Sequence, residues 1–207
     1  MDQRWFGLGP TIAASLWGGM YVVSKWGFAA IPPVTLSFLR IALGAATLLF
    51  VIWLTGPTRS FSRQEWRRFG LLGCLVTVTI VTQFVGTDLT SASQGALFTV
   101  LTPVFTLLLG ILLAREPMSL RKVAGMGLAA GGTTVVLAGR YDLASIPVEG
   151  LTGVGMLLFA SLGWAGYTVL GKPLVRRYSA LEAATYSTGL AVPIAGALVP
   201  LEFALGP

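Results

Sequence analysis

The chain has 207 residues, of which 55% are hydrophobic and only 11% charged, with a net charge of +6 and a mean hydropathy of +0.80. An ordinary soluble domain is about 25% charged, so these few charges exclude a water-coated globule of this size. Basic residues that alternate with apolar blocks are better explained by membrane topology than by a phosphate-binding face, and no nucleic-acid partner is expected.

The sequence opens with MDQRWFGLGPTIAASLW, a charge followed by an apolar run. That run outlasts the roughly 7–15 residues of a signal-peptide core, and more apolar blocks follow, so it reads as a retained first helix over residues 6–30. The second helix is expected over 34–54 and the third over 69–86, the latter containing the single cysteine, Cys74, read as a small buried hydrophobe. The fourth is expected over 92–114. Its run ALFTVLTPVFTLLLGILLA lacks the alternation of a barrel strand, and lipid tolerates only helices or closed barrels, so helices are expected throughout. The fifth follows over 123–139, where Ser119 is placed to cap it and Glu116 to pair with Arg121 or Lys122. The sixth covers 151–171 and the seventh 181–201. The fold class is all-α, a polytopic transmembrane helix bundle.

Orientation follows from the cations. With a cytoplasmic N-terminus, Arg4, Arg59, Arg63, Arg67, Arg68, Arg115, Arg121, Lys122, Lys172, Arg176 and Arg177 all fall inside, while Lys25, Arg40 and Arg140 fall outside or in the membrane. The opposite orientation inverts that bias, so the N-terminus is expected inside.

The stretch SLWGGMYVVSK in the first helix returns as LGWAGYTVLGK in the sixth, at an offset of 147 residues that lays Trp17 on Trp164, Gly19 on Gly166, Val22 on Val169 and Lys25 on Lys172. Five helices separate the starts of the two copies, and an odd number of crossings reverses direction. The expectation is therefore an inverted-topology repeat, with a first five-helix unit over 1–147 and the start of a second over 148–207, a hallmark of secondary transporters. Two units of 147 residues exceed this chain by 87, so the second is expected to be incomplete, either because the chain is truncated or because it works with a partial second half.

SLWGGMYVVSK, LSFLRIALGA in the second helix, and ALFTVLTPVFTLLLGILLAREPMSLRKVAGMGLAAGGTTVVL across the fourth and fifth together resemble the drug/metabolite transporter superfamily, specifically its ten-helix EamA-like branch. Pro103, Glu116 and Gly125 stand where that pattern has its proline, its acidic residue and its early glycine. The resemblance implies five-plus-five helices, cytoplasmic termini, residence in the plasma membrane, and transport of small metabolites, often export of amino acids or related compounds. A chain ending near the seventh helix departs from it.

The candidate substrate-binding residues are Trp17, Tyr21, Lys25, Arg40, Thr79, Gln83, Thr99, Trp164 and Tyr167. Lys25 and Arg40 are cations inside spans, able to meet a substrate carboxylate or to snorkel to the headgroups. Thr79, Thr82 and Gln83 share one side of the third helix, as do Thr99, Thr102 and Thr106 on the fourth beside Pro103. Such stripes line a hydrated path or hydrogen-bond between helices. Trp17 and Trp164 lie well inside their spans, where they pack in a core or receive a substrate, with Tyr21 and Tyr167 adding polar tips. Gly127 and Gly131 form a GxxxG face suited to internal packing or to a homodimer.

No carboxylate falls mid-membrane: Asp2, Glu65, Asp88, Glu116, Asp142, Glu149, Glu182 and Glu202 are all in loops or at helix ends, which leaves proton coupling without a relay. An intramembrane enzyme needs a nucleophile or metal site. The chain has no histidine, one cysteine, and a Ser24/Lys25 pair that faces apart, so no catalysis, metal or cofactor is expected. A seven-helix receptor, or a truncated transporter without activity of its own, are the alternatives to a working transporter.

Overall fold

The computed structural model describes residues 8–56, 60–115, 117–140 and 148–205. All regular structure there is helical: α1 (Leu8–Gly27), α2 (Pro33–Thr55), α3 (Arg63–Asp88), α4 (Ala92–Thr99), α5 (Thr102–Ala114), α6 (Leu120–Arg140), α7 (Val148–Arg177) and α8 (Ala180–Leu205). The all-α polytopic bundle is thus present. Of the cations and acids placed by the sequence, Arg4, Arg59, Asp2, Glu116 and Asp142 lie outside the described residues, as does residue 6 at the expected start of the first helix.

Several boundaries differ from expectation, α7 for one running six residues past its expected end to Arg177 and α1 stopping three short at Gly27; two of the differences have clear reasons. The fourth span is broken into α4 and α5, because Pro103 has no N–H to give the Thr99 carbonyl and the chain tightens there. Val100 N–H bonds Leu97 O and Leu101 N–H bonds Phe98 O, both i to i−3. The third span starts six residues early, at Arg63, because Ser62 and Glu65 form a capping box that carries the helix beyond its apolar stretch.

Among the described residues, counting α4 and α5 as one, five helices are long and apolar enough to cross a membrane.

Contacts at the helix ends fix the directions. Lys25, in the last turn of α1, bonds the Thr87 and Asp88 carbonyls at the end of α3. Glu65, at the start of α3, pairs with Arg177 at the end of α7 at 3.0 Å. Val34 and Thr35, at the start of α2, donate to Glu202 near the end of α8. α1 and α3 therefore run from one end of the bundle to the other, while α2 and α7 run back. Arg63, Arg67, Arg68, Arg121, Lys122, Arg176 and Arg177 gather at the end where α3 and α6 start and α7 stops, called here the basic end.

α3 is the central rod, packed along α7 and α8, while α2 lies against α8 and α5 against α7. Phe69, Leu72, Val76, Ile80 and Phe84 bury one side of α3. At the basic end Phe61, Phe69, Tyr178 and Tyr186 form an edge-to-face aromatic cluster. Burial together with the neighbouring Glu65 carboxylate pushes the Tyr178 phenol above the ordinary tyrosine value. Large apolar side chains face outward, Leu16, Trp26, Leu43, Trp53 and Leu128 among them. In water that surface favours aggregation; in a bilayer it is the lipid-facing side. Cys74 belongs to it: it is exposed, not buried as the sequence suggested.

Candidate functional site

Five rods, α1, α3, α4/α5, α6 and α7, enclose a cavity of about 850 Å³. α1 supplies Ala13, Ala14 and Trp17 to its wall; α7 supplies Ala160, Ser161, Trp164, Thr168 and Lys172. Moving the α1 set by the 147-residue offset lands on Ala160, Ser161 and Trp164. The two similar stretches thus line one space from opposite helices, and the indoles of Trp17 and Trp164 meet there with ring centres 5.1 Å apart.

Thr79 and Gln83 of α3 and Thr99, Thr102 and Thr106 of α4/α5 complete the polar wall. Thr82 is not part of it: its hydroxyl turns back to the Val78 carbonyl at 2.7 Å. Three wall atoms, Thr79 Oγ1, Gln83 Oε1 and Thr102 Oγ1, are buried without a hydrogen-bond partner. Burying such atoms unpaired costs about 1–3 kcal/mol each, so a polar ligand or water in the cavity is favoured. Thr79 finds room because Gly163 faces it; a Cβ there would lie 2.5 Å from its hydroxyl.

Toward the end opposite the basic one stands Tyr21. This residue is 2% exposed and does not line the cavity; its hydroxyl sits just behind the wall. Gln83 Nε2 donates to the Tyr21 hydroxyl, and the hydroxyls of Tyr21 and Thr99 are bonded to each other. Thr99 in turn donates to the Gly95 carbonyl at 2.9 Å. The donors can be ordered in one direction, Gln83 to Tyr21 to Thr99 to Gly95, so each hydroxyl in the chain gives one hydrogen bond and takes one. Gly95 is also what lets the tyrosine in: a Cβ on it would come within 2.7 Å of the Tyr21 ring.

The other sequence candidates fall outside the cavity wall. Lys25 is tied to the end of α3, with the Asp88 carboxylate 3.8 Å away, where its charge offsets the negative helix terminus. Arg40 lies beyond Trp17, its guanidinium carbon 5.3 Å from the Trp17 ring centre and 5.5 Å from that of Phe84. Its Nη1 is buried without a hydrogen-bond partner. Tyr167 stacks on Trp164 at 5.2 Å and its hydroxyl meets Ser187 at 3.2 Å.

Sequence reasoning missed Ser161, Thr168, Lys122 and Lys172 as wall residues. The offset itself held a signal for two of them, since Thr168 and Lys172 match the candidates Tyr21 and Lys25. The acids at helix ends were also underread. Glu202 accepts from Val34 N at 2.7 Å, Thr35 N at 2.8 Å and Thr35 Oγ1 at 2.7 Å, replacing the side-chain cap that α2 lacks. Among the described residues no cluster of histidine, cysteine or acids could hold a metal.

A model of the EamA-like transporter family matches residues 6–138. An uncharacterized transporter of Archaeoglobus fulgidus is 27% identical over 192 residues, covering 92% of this chain and 63% of that protein. A second from the same organism is 26% identical, covering 86% and 60%. The uncharacterized transporter YyaM of Bacillus subtilis is 26% identical, covering 82% and 56%. The chain thus spans about three fifths of the length of these relatives. No solved structure matches it.

Proposed function

The chain belongs to the EamA-like transporter family, and from that premise we propose that the protein is a secondary transporter of small metabolites, such as amino acids or related compounds, working by alternating access between two inverted repeats. The units are residues 1–147 and the one that begins at 148. The observation that carries this reading is the cavity with three unpartnered polar atoms, roomy enough for a metabolite and walled by matching residues of α1 and α7. α1 and α7 run in opposite directions, which supports the inverted relation.

The basic end is cytoplasmic in this reading, because cations are retained on that side. The cavity reaches exposed Lys122 at the basic end and stops at the Tyr21 network at the other, so the arrangement is one that loads from the cytoplasm. Export across the plasma membrane follows if the Tyr21 network parts while the basic end closes. The face of Gly127 and Gly131, with nothing within 4 Å of either, is offered for a homodimer.

The test is counterflow in proteoliposomes holding the full-length protein, across a panel of labelled amino acids and related organic compounds. Saturable flux of a subset, reduced at least tenfold by Gln83→Ala, is expected. Absence of substrate-dependent flux across the whole panel would overturn the reading.

A further inference from the structure

We propose that the cavity selects an organic anion, a carboxylate on an apolar or aromatic body without a compensating ammonium, and that Arg40 is the residue that selects its charge. This rests on the transporter reading above and narrows its small metabolites to organic anions, which excludes free amino acids.

Among the described residues that line the cavity, the charged ones have one sign. Lys122 and Lys172 are in its wall toward the basic end, and no aspartate or glutamate is among the described residues that line it. Arg40 stands behind Trp17, its guanidinium carbon 5.3 Å from the ring centre. A guanidinium within a span is normally matched by a carboxylate or by carbonyls. Arg40 has neither at Nη1, only the faces of Trp17 and Phe84. Such faces stabilise the cation but cannot accept its N–H groups as an oxygen does. The arrangement is complete when an oxyanion supplies the acceptor.

An ammonium finds neutral acceptors in the wall, Gln83 Oε1 and the Thr79 and Thr102 hydroxyls, but among the described wall residues no carboxylate to offset the repulsion of Lys122, Lys172 and Arg40. Trp17 already has Arg40 over its ring and Trp164 against it, and Trp164 is stacked on Tyr167 with 22° between the ring planes. What the indoles still offer to the cavity is apolar surface, matched to the body of the anion. The second repeat does not duplicate the charge: the position matching Arg40 is Ser187, buried and bonded to the Ala183 carbonyl at 2.7 Å. Charge selection therefore belongs to the first repeat, behind Trp17, where it acts on a substrate as that wall opens.

The experiment is a fluorescence titration of the full-length protein in detergent micelles, exciting tryptophan so that Trp17 and Trp164 report. Three probes of one shape are compared: phenylacetate, phenylacetamide and phenethylamine. Phenylacetate is expected to bind saturably, at least tenfold tighter than the amide, with the amine weaker still. Arg40→Gln is expected to bring phenylacetate to the affinity of the amide, and Arg40→Lys to restore part of the difference. Equal or tighter binding of the amide or the amine by the unaltered protein overturns the assignment without needing any variant to fold. Unchanged phenylacetate affinity in folded Arg40→Gln overturns the role of Arg40. Failure of all three probes to bind also overturns the anion class, and the counterflow panel then separates its failure from that of the transporter reading, since flux of amines or neutral compounds leaves the latter intact.

Discussion

Tyr21 concentrates what single residues do here. Its neighbourhood with Trp17 is written in the sequence, but its hydroxyl partners come from Gln83 and Thr99, 62 and 78 residues away, and no local spacing announces them. Tyr21→Phe removes the acceptor of the Gln83 amide and the partner of Thr99. A loss of about 1–3 kcal/mol is expected, read as a lower melting temperature in detergent. Gly95→Ala drives a methyl group to 2.7 Å from the same ring, whereas Gly18→Ala meets nothing within 4 Å. Flux is expected to fall at least fivefold in the first and to stay near that of the parent protein in the second. Lys25 makes the opposite point: as a cation inside a span it was a reasonable substrate ligand, yet the structure places it on carbonyls of α3, a partner that only the folded bundle supplies. Lys25→Met is expected to cost about 0.5–1 kcal/mol of stability and to leave KM for transport unchanged.

Helices were the most legible level, because lipid leaves a spanning segment few alternatives and apolar blocks mark the spans directly. The break between α4 and α5 was half legible: Pro103 announces a defect, but not that the turn before it tightens at Val100 and Leu101. The two links between helix ends were not legible, since Glu65 and Glu202 read as ordinary loop acids. Glu202 holds the start of α2 to the end of α8 away from the basic end, while Glu65 holds the start of α3 to the end of α7 at it. If the repeats rock, such links are made and broken at opposite ends. Glu202→Gln keeps the shape but loses the charge of the bonds to Val34 and Thr35, and about 1–2 kcal/mol of stability. Faster hydrogen exchange at Val34 and Thr35, with exchange at Glu65 unchanged, is the expected signature; slowed or unaltered exchange at Val34 and Thr35 counts against the capping role.

Across the whole molecule, the 147-residue offset was the most informative feature of the sequence. It marked Trp17 and Trp164 as equivalent before any contact was known, and the structure puts them together on one cavity. Which other residues share that cavity depends on how α3, α4/α5 and α6 fit around the pair. Thr82 fell on the visible polar stripe yet turns away, while Ser161 and Lys172 line the wall without any stripe to reveal them. In the transport mechanism proposed above, the cavity is reached from the cytoplasmic side and shut by Tyr21 on the other. The measurement that tests it most directly is labelling of a single cysteine on the cavity wall, Thr168→Cys with Cys74→Ala, by a maleimide that does not cross membranes. Rapid labelling is expected in inside-out vesicles and little in intact cells, with labelling from outside rising when Tyr21→Phe is added. Labelling from outside as fast as from inside with Tyr21 intact, or none from either side, contradicts the claim.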